Sequence, residues 1–166
     1  MPRTMTVSES IDISAPPEQI YALISDPTQT GNWSPENTGA RVTSAPHSAG
    51  MVFHGTNRRG PFRWVTECVV TGADAPTRFR FQVRKWGVGK PFLTVPVATW
   101  EYQLAPTPHG TRVTETWIDD RSAWPDSVSA VVDRLLTGGR TFAEFNRRNI
   151  AVTLKNLKAA VEADRR

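Results

Sequence analysis

Over the first 120 or so residues of the chain, apolar and polar side chains alternate with a period of two. That is the signature of strands with one face buried and one face in water. In Val7 to Ser14, the residues Val7, Ile11 and Ile13 share one face, Ser8, Ser10, Asp12 and Ser14 share the other, and only Glu9 breaks the pattern. Met51, Phe53, Gly55 and Asn57 form one face of a later strand, and Arg59-Gly60-Pro61 turns it into another that carries Trp64, Thr66, Cys68 and Val70 inward. Phe79, Phe81 and Val83 alternate with Arg78, Arg80, Gln82 and Arg84, and Trp100, Tyr102 and Leu104 with Thr99, Glu101 and Gln103. The turn Pro106 to Gly110 leads into Thr111 to Asp119, a hairpin whose inward residues are Val113, Glu115 and Trp117. A further strand is expected around Ala40 to Ser44.

Two kinds of helix break this rhythm. Pro16-Pro17 suits a first helical turn, Ile20, Leu23 and Ile24 follow at helical spacing, and Asp26-Pro27 stops the run. A second short helix is expected through Trp33. From Asp126 the apolar period becomes about 3.6, beginning with Val128, Val131, Val132, Leu135 and Leu136. Gly138-Gly139 predicts a break, after which Phe142, Phe145, Asn149, Ile150, Leu154, Leu157 and Val161 continue the pattern. At about 1.5 Å per residue, a helix over 140–164 is roughly 37 Å long and must lie along the sheet. The order is therefore one strand, two short helices, six strands and a long amphipathic helix. This is the α+β solution, with a curved antiparallel sheet closed by a helix on one face.

Composition narrows the function classes. At 166 residues the chain has the size of one domain, read as 1–166 with its core over about 7–161. The single Cys68 excludes a disulfide framework and a Cys-paired zinc site. No apolar stretch approaches the roughly 20 residues of a membrane span, so no integral membrane association is expected, and a start without an apolar run predicts a cytoplasmic protein. Net charge is +4, but the span from Arg58 to Lys90 holds eight basic and two acidic residues, a larger local excess. Much of it falls on the outer face of the sheet.

The element order, with Trp33-Ser34-Pro35-Glu36, the segment Gly55 to Pro61, Arg63-Trp64, the strand Ala98 to Tyr102 and the run Gly110 to Glu115, resembles the SRPBCC superfamily. These are START-related, Bet v 1-like helix-grip proteins, and the nearest likeness is to the polyketide cyclase/dehydrase proteins of actinobacteria. The resemblance implies a helix-grip fold: a curved seven-stranded antiparallel sheet around a long C-terminal helix, with two short helices after the first strand. It also implies an apolar cavity between sheet and helix. Carried over onto this sequence, the cavity wall is Phe53, Trp64, Phe79, Phe81, Trp100, Tyr102 and Trp117 from the sheet. Phe142, Phe145 and Asn149 come from the helix, and Asn57 is the polar residue placed among them.

Glu9, Asn57, Glu115 and Asn149 are polar at inward positions. A buried carboxylate is costly, so Glu115 must find a donor, hold its proton or sit in a wet cavity. If the first and last strands pair, Glu9 and Glu115 become neighbours, and like-charge coupling would raise one pKa. Glu115 and Tyr102 are accordingly the candidates for proton transfer. Cys68 and His54 fall on opposite faces and make no dyad. His47 and His109 sit in turns without partners at ligand spacing, so no metal and no cofactor is expected. Trp86 and Phe92, with the glycine-rich segment 87–91, read as a loop at the cavity mouth.

The leading functional expectation is binding of a hydrophobic small molecule, such as a lipid, polyketide or aromatic metabolite. A metal-free aromatase/cyclase or dehydratase working by general acid/base chemistry is the alternative. A third reading uses the basic outer face as an interaction surface. Without exposed aromatics between its charges, a nucleic-acid partner is not expected there. Oligomeric state is not legible.

Overall fold

The computed structural model describes residues 2–44 and 48–164. Seven antiparallel strands form one sheet: β1 (Thr6–Ile13), β2 (Asn37–Val42), β3 (Val52–Arg59), β4 (Phe62–Asp74), β5 (Arg78–Gly87), β6 (Leu93–Thr107) and β7 (Gly110–Asp119). Their spatial order is β1-β7-β6-β5-β4-β3-β2, so every neighbour except β1 on β7 is joined by a local connection. The β1–β2 link carries helix α1 (Pro17–Ile24) and a 3-10 turn (Pro27–Asn32). Two helices follow the sheet, α2 (Asp126–Thr137) and α3 (Phe142–Ala163). This is the helix-grip arrangement expected from the sequence, and β2 runs over 37–42, a little earlier than the expected strand around 40–44.

Alternation places the faces as read. Val7, Ile13, Val113 and Trp117 are buried on the inner face, while Ser8 pairs with Thr116 and Ser10 with Thr114 through hydroxyl hydrogen bonds on the outer one. α3 lies across β1 and β7 and buries Ile150, Leu154, Leu157 and Val161 against the sheet. It starts at a capping box in which Thr141 Oγ1 accepts from Glu144 N and Glu144 in turn accepts from Thr141 N. With 22 residues it is about 33 Å long. Gly138 ends α2 in the left-handed region at φ 71°, and Gly139 follows at 104°, which makes this pair a chain break that side-chain-bearing residues resist.

α2 is turned the other way from an ordinary surface helix, whose apolar stripe faces the core. Its apolar stripe faces solvent: Val128, Val131, Leu135 and Leu136 are exposed, with Leu135 at 78 %, and Val132 is only partly covered. The buried residues are Ser129, Asp133 and Thr137, spaced four apart on the opposite face. The cause lies beneath the helix. Arg121, 3 % exposed, donates to Asp119 at 2.7 Å and to Asp133 at 2.8 Å, and Arg3 donates to Ser129 and to the Arg121 carbonyl. A buried guanidinium needs its partners, because an unpaired buried charge costs several kcal/mol. The helix turns accordingly. Asp133 also accepts from Phe142 N at 2.9 Å, tying α2 to the start of α3.

The outer face of the sheet is not a free basic patch. Arg78 and Arg80 pair with Glu101, Arg78 also with Asp74, and Arg84 and Lys85 pair with Glu67. Burial pulls the Glu67 carboxyl up, but hydrogen bonds from His54, Arg84 and Lys85 outweigh it and bring the pKa down to about 2. His54 is therefore engaged on the outer face with Glu67, at 3.0 Å, while Cys68 is buried on the inner face, where desolvation pushes its thiol up to about 12. Among the described residues, no helix is long and apolar enough to cross a membrane, and no group of three His, Cys, Asp or Glu side chains could hold a metal ion. His47 lies outside the described residues.

Candidate functional site

Between the inner face of the sheet and α3 lies a hollow of about 240 Å³. Its walls come from register. Phe81, Trp100 and Trp117 occupy directly paired positions on β5, β6 and β7, so three large rings form a row across the sheet. Phe53 packs edge-on to Phe81 at 5.3 Å between ring centroids, and Phe62 stacks between Trp64 and Trp86. From α3, Phe142, Phe145 and Asn149 line the opposite side.

The next row of the sheet is polar where the first is aromatic. Phe79, Tyr102, Glu115 and Glu9 are paired in sequence across β5, β6, β7 and β1. Tyr102 Oη donates to Glu115 Oε1 at 2.9 Å, and both side chains line the hollow. Glu115 is 2 % exposed, and its Oε2 is the buried side-chain oxygen or nitrogen without a hydrogen-bonding partner among the described residues. Burial raises the Glu115 pKa to about 8, against the opposing pull of the Tyr102 hydroxyl. Tyr102 is itself raised well above its usual value by burial, then by the neighbouring carboxyl, so it stays a donor.

Glu9 faces Glu115 across the β1–β7 pair as anticipated, but it does not couple to it. Its side chain is 41 % exposed and reaches Arg147 on α3 at 3.4 Å, so the shift at Glu115 has desolvation, not like-charge repulsion, as its cause. Phe79 is also placed differently from the reading given above. It is buried in the core against Tyr21 and Phe81 and does not line the hollow, because α1 covers that end of the sheet. Asn57 lines the hollow and donates to the Gly55 carbonyl and Thr66 Oγ1 at 3.3 and 3.4 Å.

Several lining residues escaped the sequence reading. Asn146, buried on α3, and Thr153 share the inner helical face with Asn149 and Ile150, a relation that the 3.6 period already contains. Arg59 had no local signal. It crosses the mouth of the hollow, donates to Glu36 Oε1 at 2.6 Å and to the Leu136 carbonyl, and holds its guanidinium 4.0 Å from the Phe145 ring centroid. That constellation joins β3, the β2 approach and both C-terminal helices, so only the assembled fold brings it together.

The fold is shared with solved structures. A START superfamily protein from Mycobacterium smegmatis superposes with a TM-score of 0.70 at 13 % identity, covering 96 % of this chain and 99 % of that one. A protein from Thermus thermophilus gives 0.68 at 18 % identity over 96 % and 98 %. A Polyketide_cyc-like protein from Corynebacterium glutamicum is 27 % identical over 99 % of this chain and 95 % of that one, with a TM-score of 0.57. No curated protein matches the sequence. The family model described as polyketide cyclase / dehydrase and lipid transport matches residues 4–162. With that match running from the start of β1 to the end of α3, the chain belongs to the polyketide cyclase/dehydrase and lipid transport family.

Proposed function

We propose that the protein binds a small hydrophobic molecule in the hollow and anchors one oxygen function of it on Glu115. The observation that carries this reading is the buried, unpartnered Glu115 Oε2 on a residue that lines a hollow whose surface is mostly apolar. An orphaned polar atom costs roughly 1–3 kcal/mol unless something satisfies it, and a ligand oxygen does so. Tyr102 already donates to Oε1, so the proton of the neutral acid resides on Oε2 and is offered to a ligand carbonyl or hydroxyl. At about 240 Å³ the hollow falls just below the roughly 300–1,000 Å³ of drug-sized sites, which favours a compact one- or two-ring molecule or a short chain over a bulky lipid. Mass spectrometry of molecules retained by protein purified from its own host tests this reading. A dominant small oxygenated species, depleted in Trp100→Ala, supports it, and recovery of nothing enriched over a heat-unfolded control contradicts it.

A second reading rests on the acidity of the same group. A carboxylic acid with a pKa of about 8 holds a transferable proton at neutral pH, which is what general acid catalysis on an enolisable polyketide chain needs. The two readings part at Glu115→Gln. A pure binder with this substitution still holds its ligand, and the recovered molecule is unaltered in both proteins. A cyclase or dehydratase returns product from the wild type and unconverted substrate from the variant.

A further inference from the structure

Nine large apolar residues are exposed among the described residues, and eight of them fall on three segments: Phe62 at the start of β4, beside the β3–β4 turn, Val88, Phe92 and Leu93 around the β5–β6 connection, and Val128, Val131, Leu135 and Leu136 on α2. These segments converge on the mouth of the hollow. Phe62 stacks on Trp86 at 6.3 Å, Trp86 pairs with Leu93 across β5 and β6, and Arg59, from the strand that enters the first turn, donates to the Leu136 carbonyl of α2. Phe62, Trp86 and Leu136 all border the hollow itself.

The exposed charges of the rim are mostly basic; α2 opens on the exposed Asp126, which faces Arg3 at 3.9 Å, and its Asp133 is buried. Residues 58–63, 86–93 and 134–140 contain no Asp or Glu. Arg58, Arg63, Lys90, Arg134 and Arg140 belong to them and form no salt bridge with a described residue, whereas Arg78, Arg80 and Arg84 on β5 are paired with acids. The local basic excess of the sequence is thus neutralised along β5 and left open at the β3–β4 tip and the β5–β6 connection.

We propose that this rim is a docking surface for an anionic lipid bilayer. Two separate hairpin tips and a helix place apolar side chains around the mouth of the hollow, spread over three elements. α2 has the form of an interfacial helix, since its Val128, Val131 and Leu135 stripe points outward and Arg134 flanks it. Basic residues beside such a stripe add attraction to anionic headgroups, at about 1 kcal/mol each near the surface. The polar seat of α2 on Asp119, Arg121 and Asp133 is what presents the stripe, for a helix packed apolar-side-in would have nothing to insert. The inference uses the rim alone and does not depend on what the hollow holds.

Flotation of the full chain with phosphatidylcholine vesicles, with and without phosphatidylglycerol, tests it. The protein floats with the anionic vesicles, and raising salt from about 0.05 to 0.5 M releases it as the Debye length shrinks. Leu135→Glu and Val131→Glu each reduce binding by about tenfold or more, and Arg63→Glu by severalfold. Lys155→Glu, which makes the same change of charge on an exposed position of α3, leaves binding within about twofold. Failure to float with anionic vesicles overturns the proposal, as does equal weakening by Leu135→Glu and Lys155→Glu. A concentration-dependent dimer that Leu135→Glu abolishes, without flotation, assigns the stripe to a second copy and also overturns it. Binding of 2-naphthol to the same variants separates this surface from the hollow, since Leu135→Glu keeps it and its absence from the wild type leaves the flotation result standing.

Discussion

Tyr102 and Glu115 face each other across the β6–β7 pair, and the tyrosine hydroxyl donates to Oε1 of the acid at 2.9 Å with both groups buried. This contact leaves Oε2 as the unpartnered oxygen of a residue that lines the hollow. It also gives the acid a defined pH response.

The raised folded-state pKa sets the sign. In the unfolded chain the carboxyl loses its proton near 4.5, well before the native protein does, at about 8. The stability that Glu115 contributes as a neutral acid is therefore complete below about pH 4.5 and is lost as pH rises toward 8. Glu115→Gln removes the titration, so the wild type should lose a few kcal/mol relative to the variant across that window. Chemical denaturation of both proteins at about pH 4.5, 6.5 and 8.5 measures it, and a constant difference would place the carboxyl in solvent.

Tyr102→Phe takes away the one donor that Glu115 has among the described residues. The acid then has two unpartnered oxygens in a dry setting, and its pKa should rise further. Loss of about 1–3 kcal/mol at pH 6.5, with the pH-dependent fall displaced upward, is the expected result in the same denaturation series. A fall displaced downward would show that Tyr102 does not stabilise the charged form.

Leu157 and Leu135 separate the two C-terminal helices. Leu157 is fully buried under α3, whereas Leu135 is exposed on α2. Leu157→Ala should cost about 2–5 kcal/mol, and Leu135→Ala should stay within about 0.5 kcal/mol of wild type. Thermal unfolding of the pair checks the reversed facing of α2, which comparable losses would refute.

Asp133 is the test of why α2 is reversed. Asp133→Ala leaves Arg121 with Asp119 alone and removes the acceptor for Phe142 N, so a loss of about 3–5 kcal/mol is expected. Hydrogen exchange should localise the loosening to α2 and the first turn of α3. Unchanged protection there would mean that the helix is held by something other than the ion cluster.

What the sequence revealed follows the reach of each signal. Alternation is local, so Val113, Glu115 and Trp117 could be turned inward from seven consecutive residues, and the two-residue loop Pro108-His109 even contains the register that puts Tyr102 opposite Glu115. Periodicity on α2 identified the stripe but not its direction, because the direction is decided by Arg3, far off in the chain, and by Arg121, which lies before the helix and outside its period. Phe79 was assigned to the cavity wall by parity alone, which does not say where along the strand the hollow ends and α1 begins. The Arg59 constellation needed β2, β3, α2 and α3 all in place, and no window of sequence contains them.

The central claim is that an apolar molecule sits among Phe81, Trp100 and Trp117 with its oxygen on Glu115. Calorimetric titration with 2-naphthol and naphthalene, one ring system with and without a hydroxyl, tests it most directly at about pH 6.5. The account predicts that the wild type prefers 2-naphthol by roughly tenfold, the worth of one net hydrogen bond in a buried site. Glu115→Ala should erase the preference, Trp100→Ala should weaken both molecules, and Arg80→Ala on the outer face should change neither. Equal affinity of the wild type for the two molecules, or equal loss from Trp100→Ala and Arg80→Ala at preserved folding, would contradict it.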